Sequence, residues 1–272
     1  MLLRTLRSTP TATWCRRTRR AYHAQMSFKD HFSAHAGAYH EARPTYPEAL
    51  YDWLAAQVRA RELAWDAGCG NGQASVALAR RFARVHATDP SAAQIANAEA
   101  RANIDYRVEP AEACSLADAS ADLVTVAQAL HWFDHARFDA EVRRVLKPGG
   151  VVAAWSYADC RIAPAIDAVK NHLYVDLTGP YWPPERRYID EGYRTLPFPF
   201  DEFTAPPFDM QAQWTLAQFL AYLRSWSATQ RYLKANGADP VALVEAELAR
   251  AWGDPREPRR VHWDFHLRVG RV

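Results

Sequence analysis

The sequence predicts an α/β domain: a doubly wound, mostly parallel sheet with an antiparallel closing hairpin and helical, proline-rich cap insertions. Three observations carry this expectation. Between residues 63 and 157, short apolar runs alternate with segments of helical spacing. A glycine-rich turn follows the first of those runs. Near the C-terminus, apolar and polar residues alternate strictly, the period of a half-buried strand.

Leu63–Ala67 reads as the first strand, and Gln73–Phe82 as a helix with Val76, Leu78, Ala79 and Phe82 on one face. Val85–Thr88 is the second strand, and Ser91 caps a helix running to Arg101. Ile104–Val108 and Leu123–Ala127 follow as strands three and four. From His135 to Leu146, Phe138, Val142, Val145 and Leu146 share a helical face. Lys147-Pro148-Gly149-Gly150 stops that helix and leads into Val151–Trp155. A helical stripe then runs through Ile162, Ile166, Val169, Leu173 and Leu177. Residues 179–207 hold too many prolines for a helix or central strand and read as a long ordered loop or lid. Phe208–Trp214 alternates as a strand, and Thr215-Leu216-Ala217-Gln218 is a capping box opening a helix. Asp239-Pro240 caps another helix, with Val241, Val244, Leu248 and Trp252 inside. Val261, Trp263, Phe265, Leu267 and Val269 form the closing strand, antiparallel to the previous one.

Composition sets the class. Hydrophobic residues make up 49% and charged residues 24%, ordinary for a globular protein. No apolar run approaches the ~20 residues of a membrane-spanning helix. The net charge of +2 is uneven. Met1 to Gln25 carries six arginines and no acid, which leaves 27 basic and 31 acidic residues beyond it, a net of −4. That remainder has no electrostatic footprint for nucleic acid. Residues 1–25 are expected to be a disordered leader, read either as a mitochondrial transit peptide or as sequence upstream of a true start at Met26. Residues 26–272 read as one domain, with its core at 63–157 and its cap and closing strands at 158–272. Cys15, Cys69, Cys114 and Cys160 form no CxxC pair, so no metal site is expected and a reduced cytoplasm is the default location, with the mitochondrion as alternative. A monomer or homodimer is expected.

The chemistry concentrates in Asp66-Ala67-Gly68-Cys69-Gly70-Asn71-Gly72, between the first strand and its helix. Alternate glycines allow a tight turn and let a ligand approach the backbone without a Cβ in the way. The spacing is GxGxG rather than the dinucleotide GxGxxG, with Gln73 at the place of the final glycine. Asp66 ends the first strand, where a carboxylate faces a ligand amine or water. Asp89 ends the second, where it accepts hydrogen bonds from ribose hydroxyls.

These residues, with Ala111-Glu112 and Leu146-Lys147-Pro148-Gly149-Gly150, resemble the motifs of class I S-adenosylmethionine-dependent methyltransferases, a Rossmann-like family. Tyr39-x-x-x-Arg43-Pro44-x-Tyr46-Pro47 and Ala127-Gln128-Ala129-Leu130-His131-Trp132-Phe133 look closest to its type 11, trans-aconitate-methyltransferase-like group. The resemblance implies S-adenosyl-L-methionine as cofactor. Gly68, Gly70 and Gly72 would line its methionine part, Asp66 its amino group and Asp89 its ribose. Ala111 and Glu112 would flank the adenine, with Ile95 or Leu116 packed on it, and Gln128 would contribute from the end of strand four. Pro110 stands where many relatives have an acid that contacts the adenine amine.

Methyl transfer is an in-line displacement that needs no metal; positioning of the two reactants supplies about 7–11 kcal/mol. Tyr39 and Trp132 are candidates to face the sulfonium, or else they pack the core. His131 is either a general base or a packing residue. A carboxylate acceptor would need no base but paired arginines, and Arg186, Arg187 and Arg231 are the candidates. The expected function is methyl transfer to a small-molecule acceptor. The alternatives are a nicotinamide-dependent oxidoreductase and a non-catalytic S-adenosylmethionine-binding protein.

Overall fold

The computed structural model describes residues 43–272. The expectations for residues 1–25 and for Tyr39 lie outside the described residues.

Helix α1 (Glu48–Gln57) precedes strand β1 (Leu63–Ala67). Then come α2 (Gln73–Ala79), β2 (Arg84–Thr88), α3 (Ala92–Ala96), β3 (Ile104–Arg107), β4 (Ala121–Ala127), α4 (His135–Val145) and β5 (Leu146–Arg161). The remainder is α5 (Pro164–Asn171), α6 (Arg186–Asp190), β6 (Asp201–Glu202), β7 (Met210–Trp214), α7 (Leu216–Arg224), α8 (Ser227–Asn236), α9 (Pro240–Trp252) and β8 (Arg259–Arg271).

The strand order is β3-β2-β1-β4-β5-β8-β6, with β7 also on β8. Strands β1 to β5 are parallel. Strand β8 runs antiparallel to β5, and its outer edge pairs with β6 at one end and β7 at the other. The predicted antiparallel closure is present, β7 against β8, but three helices connect the two strands in place of a tight turn. After β3 the chain crosses to the other side of β1, so the carboxyl ends of β1 and β4 flank the switch point where ligands bind in such sheets.

Burial on both faces explains the unbroken apolar runs of the parallel strands. Every residue of β1 is buried, and β4 is buried through Val126. One face packs Phe138, Val142 and Val145 of α4, together with Ile189 and Tyr193 of the proline-rich segment. The other packs Leu50 and Leu54 of α1 with Leu78 of α2. A third cluster joins α7, α9, β7 and β8 into the cap, around Phe219, Trp252 and Trp263.

Capping signals set several helix starts. The Thr215–Gln218 capping box is formed, and the Ser91 and Asp239 side chains accept from Gln94 and Val241 N–H. Helix α3 stops well before Arg101, because Asn97 leaves helical geometry and closes the turn on Gln94. Strand β5 begins earlier than predicted, at Leu146, and carries Lys147-Pro148-Gly149-Gly150 within it. The stripe after Ile162 divides into α5 and a π-helical turn, His172–Leu177. No helix among the described residues is long and apolar enough to cross a membrane.

Candidate active site

The glycine turn leaves β1 with Gly68, Gly70 and Gly72 all at positive φ, 68°, 55° and 87°. A Cβ at Gly68 would stand 2.7 Å from Ala129 Cβ and 3.0 Å from the Phe133 ring. At Gly70 the same atom would meet, among the described residues, only Gln94 Oε1, at 3.9 Å. Gly68 is therefore a packing glycine as well as a turn glycine, while Gly70 faces open space among the described residues. Asp89 fixes the turn: it accepts from Gly70 N at 2.9 Å and from Ser91 N at 2.8 Å.

That space is a cavity of about 750 Å³ running from the turn to the cap. Of the residues singled out in the sequence, Gly68, Gly70, Asp89, Ala111, Glu112, Gln128, His131, Trp132 and Arg186 line it. Glu112 accepts from Asp134 N at 2.9 Å and so ties the cavity wall to the start of α4. Gln128 sits in left-handed backbone (φ 55°) at the end of β4, where its Nε2 donates to Tyr157 O. Strain of this kind in a non-glycine residue costs roughly 1–3 kcal/mol and clusters at functional sites. Two buried polar atoms on this wall, Gln128 Oε1 and Asn71 Nδ2, have no hydrogen-bond partner among the described residues. A cradle of bare backbone, a fixed acid at the end of β2 and two unsatisfied amide atoms suit a polar nucleoside-bearing ligand.

Several expectations are corrected. Asp66 does not reach the cavity wall. It is fully buried below the turn, where Ser75 Oγ donates to it at 2.6 Å and Thr125 Oγ1 at 3.0 Å. Gly72 is the N-cap of α2, and a Cβ there would run into the Tyr106 ring. Arg187 is exposed and folds over its neighbour Tyr188. Arg231 turns away to donate to Tyr181 O at 3.4 Å. Ile95 and Leu116 pack on opposite core clusters, away from the cavity.

Burial pushes the Asp66 carboxyl up to about 6, against its two hydroxyl donors and with a small contribution from Asp89. A raised folded-state value means that Asp66 supports folding most below the ordinary aspartate range and loses that support as pH rises through 6. We expect Asp66→Asn to gain stability relative to the parent as pH rises from 4 to 7. The gain should reach about 3 kcal/mol, from a shift of about two pH units. Urea melts of both proteins across that range check it, and a difference independent of pH would refute it.

His131 is buried beside Tyr193, with Nδ1 2.8 Å from the phenol oxygen. Burial, then the charges of Arg186 and His135, push it down to about 3. Burial raises the Tyr193 phenol, while the N–H groups of His131 and Leu130 face its oxygen. The phenol therefore keeps its proton and offers it to Nδ1, which leaves the ring hydrogen on Nε2. The ring is thereby held neutral across the physiological range, with Tyr193 at Nδ1.

The cap end adds Tyr157, Asp159, Tyr174, Tyr222 and Trp226, which the sequence reading gave no role, to Arg43 of the Tyr39–Pro47 motif and Trp182 of the proline-rich segment. Trp182 packs 4.9 Å from Tyr174 and 5.7 Å from Trp226, centroid to centroid. Arg186 lies over the Trp182 ring at 4.8 Å, and its Nε donates to Tyr174 at 3.0 Å and Asp190 at 3.1 Å. Neither Nη atom of Arg186 has a hydrogen-bond partner among the described residues. Burial pushes the Tyr174 phenol up to about 12; Arg186 opposes this, and Asp190 and Asp159 add to it. Both signs of charge thus act at Tyr174.

Comparison with known proteins agrees with this geometry. Residues 65–154 match the family described as a methyltransferase domain. The Dictyostelium discoideum protein named "Putative methyltransferase" is 35% identical over 229 residues, spanning 83% of this chain and 87% of that one. The Saccharomyces cerevisiae protein named "Probable S-adenosylmethionine-dependent methyltransferase" is 27% identical over 275 residues, spanning 86% and 94%. A solved structure described as a "putative type II methyltransferase" from Anaeromyxobacter dehalogenans is 49% identical, with a TM-score of 0.79 over 84% of this chain and 97% of that one. The chain belongs to the class I S-adenosylmethionine-dependent methyltransferases. It is an enzyme of that class, which sets aside the nicotinamide and the non-catalytic alternatives.

Proposed function

We propose that the chain methylates a small molecule through or beside a carboxylate, with Arg186 as the cation that receives it. The observation that carries this reading is Arg186 itself. It is a cavity-lining guanidinium with Nε engaged and neither Nη atom hydrogen-bonded among the described residues. A planar fork of this kind pairs with a carboxylate through two parallel bonds. An acceptor already ionised at neutral pH needs no base.

Bound S-adenosylmethionine supplies a methyl group already activated by its sulfonium. The chain's own residues do the holding. In this reading the Gly68–Gly70 backbone cradles the methionine part, and Asp66 steadies that turn from beneath through Ser75. Asp89 receives the ribose hydroxyls while it holds Gly70 and Ser91. Ala111 and Glu112 flank the adenine, and Asn71 and Gln128 offer their unpaired amide atoms. Trp132 closes the wall beside His131, with ring centroids 4.6 Å apart. Arg186 would orient the acceptor, and the aromatic cap would keep water from the reacting centre.

Matched sets of acid, amide and alcohol test the reading, with products identified by mass spectrometry. Methylation of acids alone is expected. Turnover of alcohols or amines with no turnover of acids would end it. We further expect His131→Gln to leave the pH profile of kcat/KM parallel to that of the parent between pH 6 and 8, because a ring at about 3 stays neutral throughout that range. A limb near pH 6.5 that vanishes in the variant would restore the base role.

A further inference from the structure

We infer that Asp159 is a specificity-determining residue for the acceptor, reading a hydrogen-bond-donating group, hydroxyl or ammonium, carried by the same molecule that Arg186 holds. The inference rests on the carboxylate reading above and adds to it.

Three observations support it. First, the register of β5 against β8 shifts by one residue between Tyr157 and Cys160. Such a bulge re-aims side chains and is over-represented beside active sites. Here it lies at the carboxyl end of β5, and both Tyr157 and Asp159 line the cavity. Second, Asp159 is fixed. Its Oδ1 accepts from Cys160 N at 2.8 Å, and its Oδ2 pairs with Lys170 Nζ, which also donates to Cys160 O at 2.8 Å. Third, the pair is lopsided: the Lys170 side chain is 2% exposed and that of Asp159 28%. Burying an ammonium is costly unless it is paired. Lys170 is therefore a positioning residue that spends its one strong partner on a carboxylate left open to the cavity. Glu185, the other carboxylate on that wall, has no side-chain partner among the described residues to fix it.

With Arg186 and Asp159 at one end of the cavity, the complementary acceptor pairs a carboxylate with a donor group. A carboxylate oxygen engaged once still accepts a second bond from such a donor. A simple acid would leave Asp159 without a ligand partner.

Calorimetry on the full chain saturated with S-adenosylhomocysteine tests this. The probes are straight-chain acids of four to six carbons, each with its 2-, 3- and 4-hydroxy and amino derivatives. At least one derivative should bind about tenfold or more tighter than its parent acid, the effect of one hydrogen bond to a charged group. Asp159→Asn should erase that margin, so that the derivative and its parent acid bind alike. The double variant Asp159→Asn with Lys170→Met should do the same without stranding a buried ammonium. If acids bind but no derivative gains, or the gain survives in both variants, the Asp159 role is overturned and the Arg186 reading stands. If no acid or derivative binds, the carboxylate reading falls and this inference falls with it. Hydroxy against amino derivatives distinguishes the two donor types.

Discussion

Gly70→Arg should abolish S-adenosylhomocysteine binding while the protein stays folded. At φ 55° a side-chain-bearing residue pays roughly 1–2 kcal/mol, which a stable domain of 5–15 kcal/mol tolerates. Nothing among the described residues comes closer than 3.9 Å to a Cβ at this position, so the new side chain finds room, and that room is the cavity. A guanidinium filling the cradle excludes the ligand, with a loss of at least about 100-fold, or about 2.7 kcal/mol. Asp89→Ala should weaken binding by a smaller factor. It removes the acid expected to hold the ribose and frees the Gly70 and Ser91 amides it orders. Calorimetry alongside a thermal melt checks both variants. Unchanged affinity in both, with normal melts, would move the cofactor away from this turn.

Much of this architecture is legible in the sequence because it rests on local rules. Strands β1 and β4 are covered on both faces and read as unbroken apolar runs. The Thr215 and Asp239 caps announce their helices through side chains that bond within the first turn. Helix α8 gives no such sign, since only Ala228 and Thr229 are buried and no apolar stripe forms. The site divides along the same line. Gly68, Gly70, Asp89 and Gln128 follow from strand ends, and the cavity meets them there. Asp66 and Gly72 belong to the same motif, yet they sit beneath the turn, a distinction of depth that spacing along the chain does not encode. The hydrogen-bond partner of His131 arrives from Tyr193, 62 residues away. Asp159 depends on a one-residue bulge and on Lys170 from the next helix, neither of which leaves a pattern in the sequence.

Arg186→Met should reduce kcat/KM for a carboxylate acceptor by far more than Arg187→Ala, although the two arginines are adjacent in a five-residue helix. Successive helical residues point about 100° apart. Here that turn sends Arg186 into the cavity and Arg187 to the surface. Removing the charged partner of a desolvated ion pair costs about 2–5 kcal/mol, roughly 30-fold to several thousand-fold in kcat/KM. Methionine keeps an apolar stem against Trp182, so the loss reports the guanidinium rather than collapsed packing. Asp190 loses its partner but is exposed, and little stability should go with it. Arg186→Lys should recover only part of the rate, because an ammonium cannot make the two-bond fork. Affinity for S-adenosylhomocysteine should stay at the parent level in all three variants, since Arg186 lies at the cap end and the turn at the other. Steady-state kinetics on acids and on their neutral analogues separates the outcomes. An equal loss on both would mean that Arg186 shapes the pocket without reading charge, and an unchanged rate on acids would remove it from acceptor recognition.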